Sequence, residues 1–311
     1  MVRPFPVDAK MTGVVLAFSN PAYSLIADEV LPITPTAPEF KHLVYPVGSG
    51  YSVPDTKVGR KSEPNEVEYT ATEVTSKCED YGLDAVVPNE DIKADNQGVD
   101  PMGTAVEFTT QLIVLAREIR VANLVFANAT YPSTQRQTLS GTSQWSDYTN
   151  SNPVSAIFAA LDTPLMRPNI ATFGQSTWTG LRQNPKLVQA IRGTSQSAGA
   201  ITKREFAEFF ELEDVFVGSG FVNTAKKGQT ESFARVWGKH AAFIFRDKKA
   251  GPQNGLTFGY TGSAYGGRFA GVPFEDKKRG LFGSQVQRVG EVVKEVISSG
   301  SCGYFFENAV A

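Results

Sequence analysis

The sequence is poor in the residues that form disulfide frameworks and metal sites. Its 311 residues include two cysteines, Cys78 and Cys302, and two histidines, His42 and His240. Two thiols cannot build a disulfide framework or a thiolate cage, and two imidazoles leave few ligands for a catalytic metal. We therefore predict buried unpaired thiols, structural histidines, no metal and no cofactor.

An excess of positive charge is also missing. The chain has 30 Lys and Arg against 32 Asp and Glu, a formal net charge of -2. Tight nucleic-acid binding depends on basic residues that neutralise phosphates, so this balance argues against a dedicated DNA-binding protein. Short basic runs such as Lys277-Lys278-Arg279 are expected in loops that face solvent or a neighbouring subunit.

Long hydrophobic runs are absent, because no stretch reaches the roughly 18 apolar residues that a membrane span needs. Residues 11–18 form a short apolar run like the core of a signal peptide. Pro4, Pro6 and Asp8 precede it in place of a clean basic segment. We predict neither a signal peptide nor a membrane partner.

Common nucleotide-binding and hydrolase motifs are missing as well. The sequence contains no G-x-G-x-x-G, no G-x-x-x-x-G-K and no G-x-S-x-G. Glu208, Glu211, Glu213 and Asp214 form an acidic cluster that could supply the paired carboxylates of a two-domain hydrolase. The alternative interpretation is a solvated helix face.

The first forty residues contain six prolines, which remove backbone donors and fix φ. This composition predicts an extended arm without long regular elements. Such an arm needs something outside itself to hold it in place, which is a first indication of assembly.

Residues 41–47 and 66–77 are two strand-like runs around a tip rich in glycine, proline and charge. Residues 66–72 alternate apolar and polar side chains, the pattern of a strand with one wet face. The pattern predicts a long β-hairpin. A two-stranded hairpin is marginal alone in water, so we expect it to lean on its own body or on another chain.

Residues 101–128 carry the clearest helical pattern. Asp100 is suited to cap the helix and Pro101 to its first turn. Apolar residues recur in steps of three and four and predict one continuous buried stripe: Ala105, Phe108, Leu112, Leu115, Ile119, Ala122 and Phe126. Further apolar positions broaden the stripe, so we expect a structural spine that is covered on more than one side.

The second half of the chain alternates helices and strands. Residues 169–173 are predicted as a strand, and Thr202 with Glu205 as a helix capping box. Residues 291–298 and 303–310 are predicted to form a terminal hairpin. Trp178 and Trp237 have two interpretations, local core packing or anchoring of an interface.

The order of these elements resembles the major capsid proteins of tailed double-stranded DNA phages, which have the Hong Kong 97 fold. Several segments resemble recurrent segments of such coats: Asn169-Ile170-Ala171; Trp178-x-x-Leu181-x-x-Asn184-Pro185-x-Leu187-Val188-x-x-Ile191; Ile201-Thr202-x-x-Glu205-Phe206-Ala207; Val215-Phe216-Val217-Gly218; Val236-Trp237-Gly238-Lys239; Gly303-Tyr304-Phe305; and Asn308-Ala309-Val310. The resemblance implies an α+β fold and a structural protein without catalytic residues.

The same resemblance implies a division of the chain into four parts. These are an N-terminal arm at 1–38, an extended loop at 39–78, a peripheral domain at 79–140 and 284–311 with a spine helix at 101–128, and an axial domain at 141–283. Contacts between subunits are expected at Tyr51, Lys57, Arg60, Lys61, Trp178 and Trp237. Lys57 or Lys61 could also offer an amine for an isopeptide cross-link.

The implied partners are other copies of the chain in pentamers and hexamers, a separate scaffolding protein or none, a portal, and possibly a cement protein. Packaged double-stranded DNA is expected to be contacted weakly, in keeping with the near-neutral charge. The expected location is the virion, with assembly in the host cytoplasm and no maturation cut in this chain. A bacterial encapsulin-type compartment shell and the two-domain hydrolase are the alternatives.

Overall fold

The computed structural model describes residues 6–17, 25–44, 53–66, 72–93, 100–193, 198–252 and 255–311. The helices are Ala9–Ala17 (α1), Ala27–Val30 (α2), Asn89–Lys93 (α3), Pro101–Val125 (α4), Pro153–Asp162 (α5), Gln175–Leu181 (α6), Pro185–Arg192 (α7) and Lys203–Phe210 (α8). The strands are Ile33–Pro35 (β1), Glu39–Val44 (β2), Thr72–Lys77 (β3), Glu79–Pro88 (β4), Arg136–Thr138 (β5), Ile170–Gly174 (β6), Asp214–Gly218 (β7), Phe221–Asn223 (β8), Phe233–Arg235 (β9), Ala241–Ile244 (β10), Gly259–Ala270 (β11), Phe274–Asp276 (β12), Ser284–Ile297 (β13) and Gly303–Glu307 (β14). This mixture confirms the predicted α+β class.

Sheet I is built around β13. This strand pairs antiparallel with β4 along one edge and with β11 and β12 along the other. β1 adds to β11 in parallel and completes the sheet. Since β13 has partners on both sides, most of its residues are buried, including Val289 and Val293.

The spine helix α4 confirms the predicted helix and packs against β4 and β13 of sheet I. It begins as expected, because Asp100 accepts a hydrogen bond from the backbone N of Met102 at 3.1 Å and Pro101 occupies the first turn. At 25 residues, it is also the longest helix of the described segments. None of the described helices is long and apolar enough to cross a bilayer.

The predicted apolar stripe of α4 is wrong in its N-terminal half. Phe108 is 61% exposed, and Leu112 is exposed as well. The buried face of α4 is displaced by about one residue from the predicted stripe. Val106 and Ile113 are buried, and so are the charged Arg117 and Glu118. A pattern of hydrophobicity cannot detect this rotation, because it places charged residues outside by default.

Sheet II has the order β5-β14-β10-β6-β7. β6 and β10 lie inside it and are buried along their whole length. Helices α5, α6, α7 and α8 contribute to the same core, in which Phe173 meets Phe206 and Phe243 edge to face. The capping box of α8 is confirmed: Thr202 Oγ1 accepts from the backbone N of Glu205 at 3.2 Å, and Glu205 Oε2 accepts from the backbone N of Thr202 at 2.7 Å.

The predicted terminal hairpin is wrong. β13 lies in sheet I, whereas β14 pairs with β10 and β5 in sheet II, so the two runs belong to different sheets. Residues 299–302 carry the chain between the sheets. A Cβ added to Gly300 would lie 1.9 Å from the carbonyl oxygen of Thr130, so only glycine fits at this crossing. Alternation identifies strands but not their partners.

The division into arm, loop, peripheral domain and axial domain stays a prediction. Pairing crosses its boundaries, because β11 and β12 join β13 in sheet I and β14 joins β10 in sheet II. Of the last two strands, β13 therefore belongs to sheet I and β14 to sheet II.

Candidate assembly surfaces

The predicted hairpin is confirmed at its base by the antiparallel pairing of β2 with β3. The rest of its predicted strands, residues 45–47 and 67–71, lies outside the described residues. The register of the hairpin runs from Glu39 opposite Lys77 to Val44 opposite Thr72. Lys41 and Glu73 form an ion pair across it at 2.7 Å, on the exposed side. All but one of the residues of β3 are exposed, so the hairpin lies largely off the body of the subunit.

The base of the hairpin is anchored to sheet I. Phe40 is buried and its ring lies 6.4 Å from that of Tyr260 on β11. His42 is buried beside Phe40, and burial lowers the pKa of its imidazole. The structural role predicted for His42 thus fits its position, since the ring helps to fix the hairpin at its root.

The segment 53–66 beyond the hairpin strands is exposed throughout. Asp55 shapes it by accepting from the backbone N of Lys57 at 2.9 Å and, through its carbonyl, from Asn65 Nδ2 at 2.8 Å. Within the described segments, no ion pair involves Lys57, Arg60 or Lys61. These three cations are free to meet a partner, and Tyr51 lies outside the described residues.

Trp178 and Trp237 are buried within the subunit, at 3% and 0% exposure. Trp178 packs against Phe173 and Phe206 in the core of sheet II. The indole N–H of Trp237 donates to Glu118. Neither side chain presents surface to a neighbour, so their positions agree with the core-packing interpretation.

The N-terminal arm is not wholly extended. α1 forms in the proline-free stretch after Pro6, where no ring blocks the helical hydrogen bonds. It docks on β11, since the backbone N of Asp8 donates to the carbonyl of Ala270 at 3.1 Å and the backbone N of Ala270 donates to Thr12 Oγ1 at 3.1 Å. The described part of the arm is thus held by its own chain, so this docking is not by itself evidence of assembly.

A buried charge network ties α2 to the spine helix. Glu118 accepts from the backbone N of Ile26 and of Ala27, each at 2.8 Å. Arg117 lies between Asp28 and Glu291, at 3.1 Å from the latter. Burial raises the pKa of both Glu118 and Glu291. The sequence does not predict this network, because an Arg-Glu pair in the middle of a helix is ordinarily exposed to solvent.

The sequence predicts the turn between β12 and β13 only in part. Its basic residues indicate a loop that faces solvent or a neighbour. Beside them, Leu281 is 91% exposed and Phe282 is 59% exposed. Two adjacent exposed apolar side chains are a stronger sign of an interaction site than the charges alone.

The acidic cluster does not form a pair of catalytic carboxylates. Glu208 pairs with Arg204 at 2.7 Å and Glu211 with Arg167 at 3.1 Å. Glu213 and Asp214 flank Arg246, at 3.7 and 3.4 Å. All four carboxylates are about half exposed or more and each lies beside an arginine, so the cluster is a set of surface ion pairs.

The remaining candidate groups have structural surroundings. His240 Nδ1 accepts from the backbone N of Asn308 at 3.1 Å, and its ring packs against Phe126. Cys78 and Cys302 are buried free thiols in separate clusters of the core, as predicted. Across the segments given above, no group of three or more His, Cys, Asp or Glu side chains could hold a metal ion.

Comparison with known proteins gives a consistent result. No protein-family model matches the chain. It is 47% identical over 309 residues to the major capsid protein of Pseudomonas phage JBD67, covering 99% of this chain and 98% of the relative. A phage-related protein from Bordetella bronchiseptica superposes with a TM-score of 0.78 at 22% identity, covering 99% and 98% of the two chains. The capsid structure of cyanophage P-SCSP1u superposes with a TM-score of 0.56 at 9% identity, covering 94% and 90%.

Proposed function

Because this chain belongs to the family of phage major capsid proteins, we propose that it builds an icosahedral head from pentamers and hexamers of itself around double-stranded DNA. The chain is a structural protein and not an enzyme, so the hydrolase alternative is not favoured. A compartment shell is not favoured either, because the relatives are major capsid proteins of phages. It is a component of the virion that assembles with copies of itself.

The observation that carries this proposal is the β2–β3 hairpin. Its base is fixed to sheet I through Phe40, whereas β3 and the segment 53–66 are exposed. A two-stranded hairpin gains little stability by itself, so an exposed one of this length is best supported by a neighbouring subunit. Coupling of this kind would add the free energy of association to the stability of each subunit.

Within the proposal, Lys57, Arg60 and Lys61 contact the neighbour through the exposed loop, together with Tyr51. Their lack of ion pairs within the described segments leaves the charges available. Trp178 and Trp237 are buried, so the proposal assigns them to packing inside the subunit and not to contact with a partner. The four-part division at 1–38, 39–78, 79–140 with 284–311, and 141–283 remains part of the proposal.

The proposed further partners are a separate scaffolding protein, a portal and packaged DNA, with assembly in the host cytoplasm. The near balance of 30 basic and 32 acidic residues supports weak, non-specific contact with DNA. A strongly basic wall would hold phosphates too tightly for DNA to be packed and released.

Deletion of residues 51–63 tests the role of the loop. We expect an unchanged far-UV circular dichroism spectrum and no closed shells by light scattering and negative-stain imaging. A K57Q/R60Q/K61Q variant keeps the loop but removes its free cations, and so separates the side chains from the backbone. Intact shells from the deletion would remove the loop from the proposal.

A further inference from the structure

The turn between β12 and β13 is a rigid surface feature. The Nδ2 atom of Asn89 donates to the carbonyl of Phe282 at 2.9 Å, and the backbone N of Asn89 donates to the carbonyl of Gly283 at 3.1 Å. Asp276 accepts from the backbone N of Lys278 at 3.0 Å and from Arg279 Nε at 2.9 Å. A turn already held in one conformation loses little entropy when it binds, which favours association.

Charge and apolar surface occur together at this turn. Asp276 neutralises Arg279, but Lys277 and Lys278 have no ion pair within the described part of the chain. Leu281 and Phe282 stand beside them in solvent. A matching partner therefore needs carboxylates next to exposed apolar side chains.

Helix α3 has that chemistry. Glu90 and Asp91 are exposed, carry no ion pair in the residues that the structure describes, and are opposed on the helix by Lys93 alone. Ile92 is exposed between them and the end of the helix. The helix thus offers acidic groups and an apolar side chain within one turn.

The two surfaces lie at the same end of sheet I. Asn89 is the first residue of α3, and its side chain and backbone hold the turn through the hydrogen bonds given above. A contact in which one patch of a copy meets the other patch of the next copy is head-to-tail. Such a contact gives a ring when the rotation between copies closes about an axis and an open filament when it does not.

We infer that the β12–β13 turn of one copy binds α3 of the next copy, with Lys277 and Lys278 facing Glu90 and Asp91 and with Leu281 and Phe282 against Ile92. This inference rests on the proposed function, because it names the surfaces through which copies of the full chain associate. It concerns a different part of the subunit from the β2–β3 hairpin.

A charge exchange tests the pairing. The variants K277E/K278E and E90K/D91K should each raise the protein concentration needed for assembly about tenfold or more. The combined variant K277E/K278E/E90K/D91K restores attraction and should assemble near the wild-type concentration. K226E/K227E, at the exposed turn between β8 and β9, makes the same charge change elsewhere and serves as the matched control.

The outcomes separate the two proposals. If wild type and control form particles and K277E/K278E does so at the same concentration, or if the combined variant assembles no better than the two it combines, this inference is overturned and the proposed function stands. If wild type forms no particles with or without the other head proteins, the proposed function fails and this inference with it.

Cross-linking gives a second readout that does not depend on closed shells. Oxidation of the full chain carrying Leu281→Cys and Ile92→Cys should produce covalent dimers and larger rings, while each single variant should not. The buried Cys78 and Cys302 are present in every sample and act as a background control. Cross-links confined to single chains, or none, would contradict the contact.

Discussion

The junction of α2 with the spine helix and the surface formed by the β12–β13 turn reverse the usual placement of side chains. In the junction, Arg117, Glu118 and Glu291 are buried and hydrogen-bonded. At the turn, Leu281 and Phe282 are exposed. Buried charge makes one region intolerant of change, and exposed apolar surface suits the other to association. Stability and assembly should therefore respond to different substitutions.

The largest loss of stability is expected from Glu118→Ala. The change leaves the indole N–H of Trp237 and the backbone N–H groups of Ile26 and Ala27 without their acceptor in the core. We expect the free energy of unfolding to fall by about 3–5 kcal/mol, measured by chemical denaturation. Glu107→Ala, at an exposed position of the same helix, is the control, and equal effects of the two would contradict the role of the junction.

Gly300→Ala should have the next largest effect. Its Cβ would meet the carbonyl oxygen of Thr130 at 1.9 Å, so the backbone between the two sheets must shift. We expect a loss of about 1–3 kcal/mol by thermal unfolding. Gly13→Ala, in α1 with nothing within 4 Å of its added Cβ, should instead be neutral or stabilising by up to about 1 kcal/mol. A neutral Gly300→Ala would show that the crossing can relax.

A smaller effect is expected on the pH dependence of stability. Burial raises the pKa of Glu118 above its ordinary value of 4.5, so the folded state holds this proton more tightly than the unfolded state. Its contribution is complete below pH 4.5 and is lost as the pH rises through the raised pKa. Glu118→Gln removes this titration, and denaturation from pH 5 to pH 8 should show a shallower decline. An identical slope in both proteins would contradict the raised pKa.

The smallest effect on stability is expected from Leu281→Ser combined with Phe282→Ser. Both side chains are exposed, so the free energy of unfolding should change by less than about 0.5 kcal/mol. Assembly should still weaken, because the apolar part of the contact is lost. A clear fall in the unfolding temperature would mean that the turn belongs to the subunit core and would remove the contrast between the two regions.

Local signals in the sequence predicted much of the fold. Asp100 and Pro101 marked the start of the spine helix, Thr202 and Glu205 marked that of α8, and alternation found the hairpin. Each of these is decided by residues close together in the chain, so short-range rules suffice.

The errors concern contacts between distant residues. The stripe of α4 was misplaced because Glu118 and Arg117 are buried by partners in α2 and β13, more than eighty positions away. The terminal hairpin failed because β14 fits between β5 and β10, which no local pattern reveals. The exposure of Leu281 and Phe282 could not be predicted for the same reason, since exposure is a property of the folded chain.

The crossing of the chain from sheet I to sheet II has a mechanical consequence. β13 is an inner strand of sheet I and β14 is an inner strand of sheet II, and only a short connection separates them in the chain. A force that displaces one sheet therefore pulls on the middle of the other sheet and not on its edge.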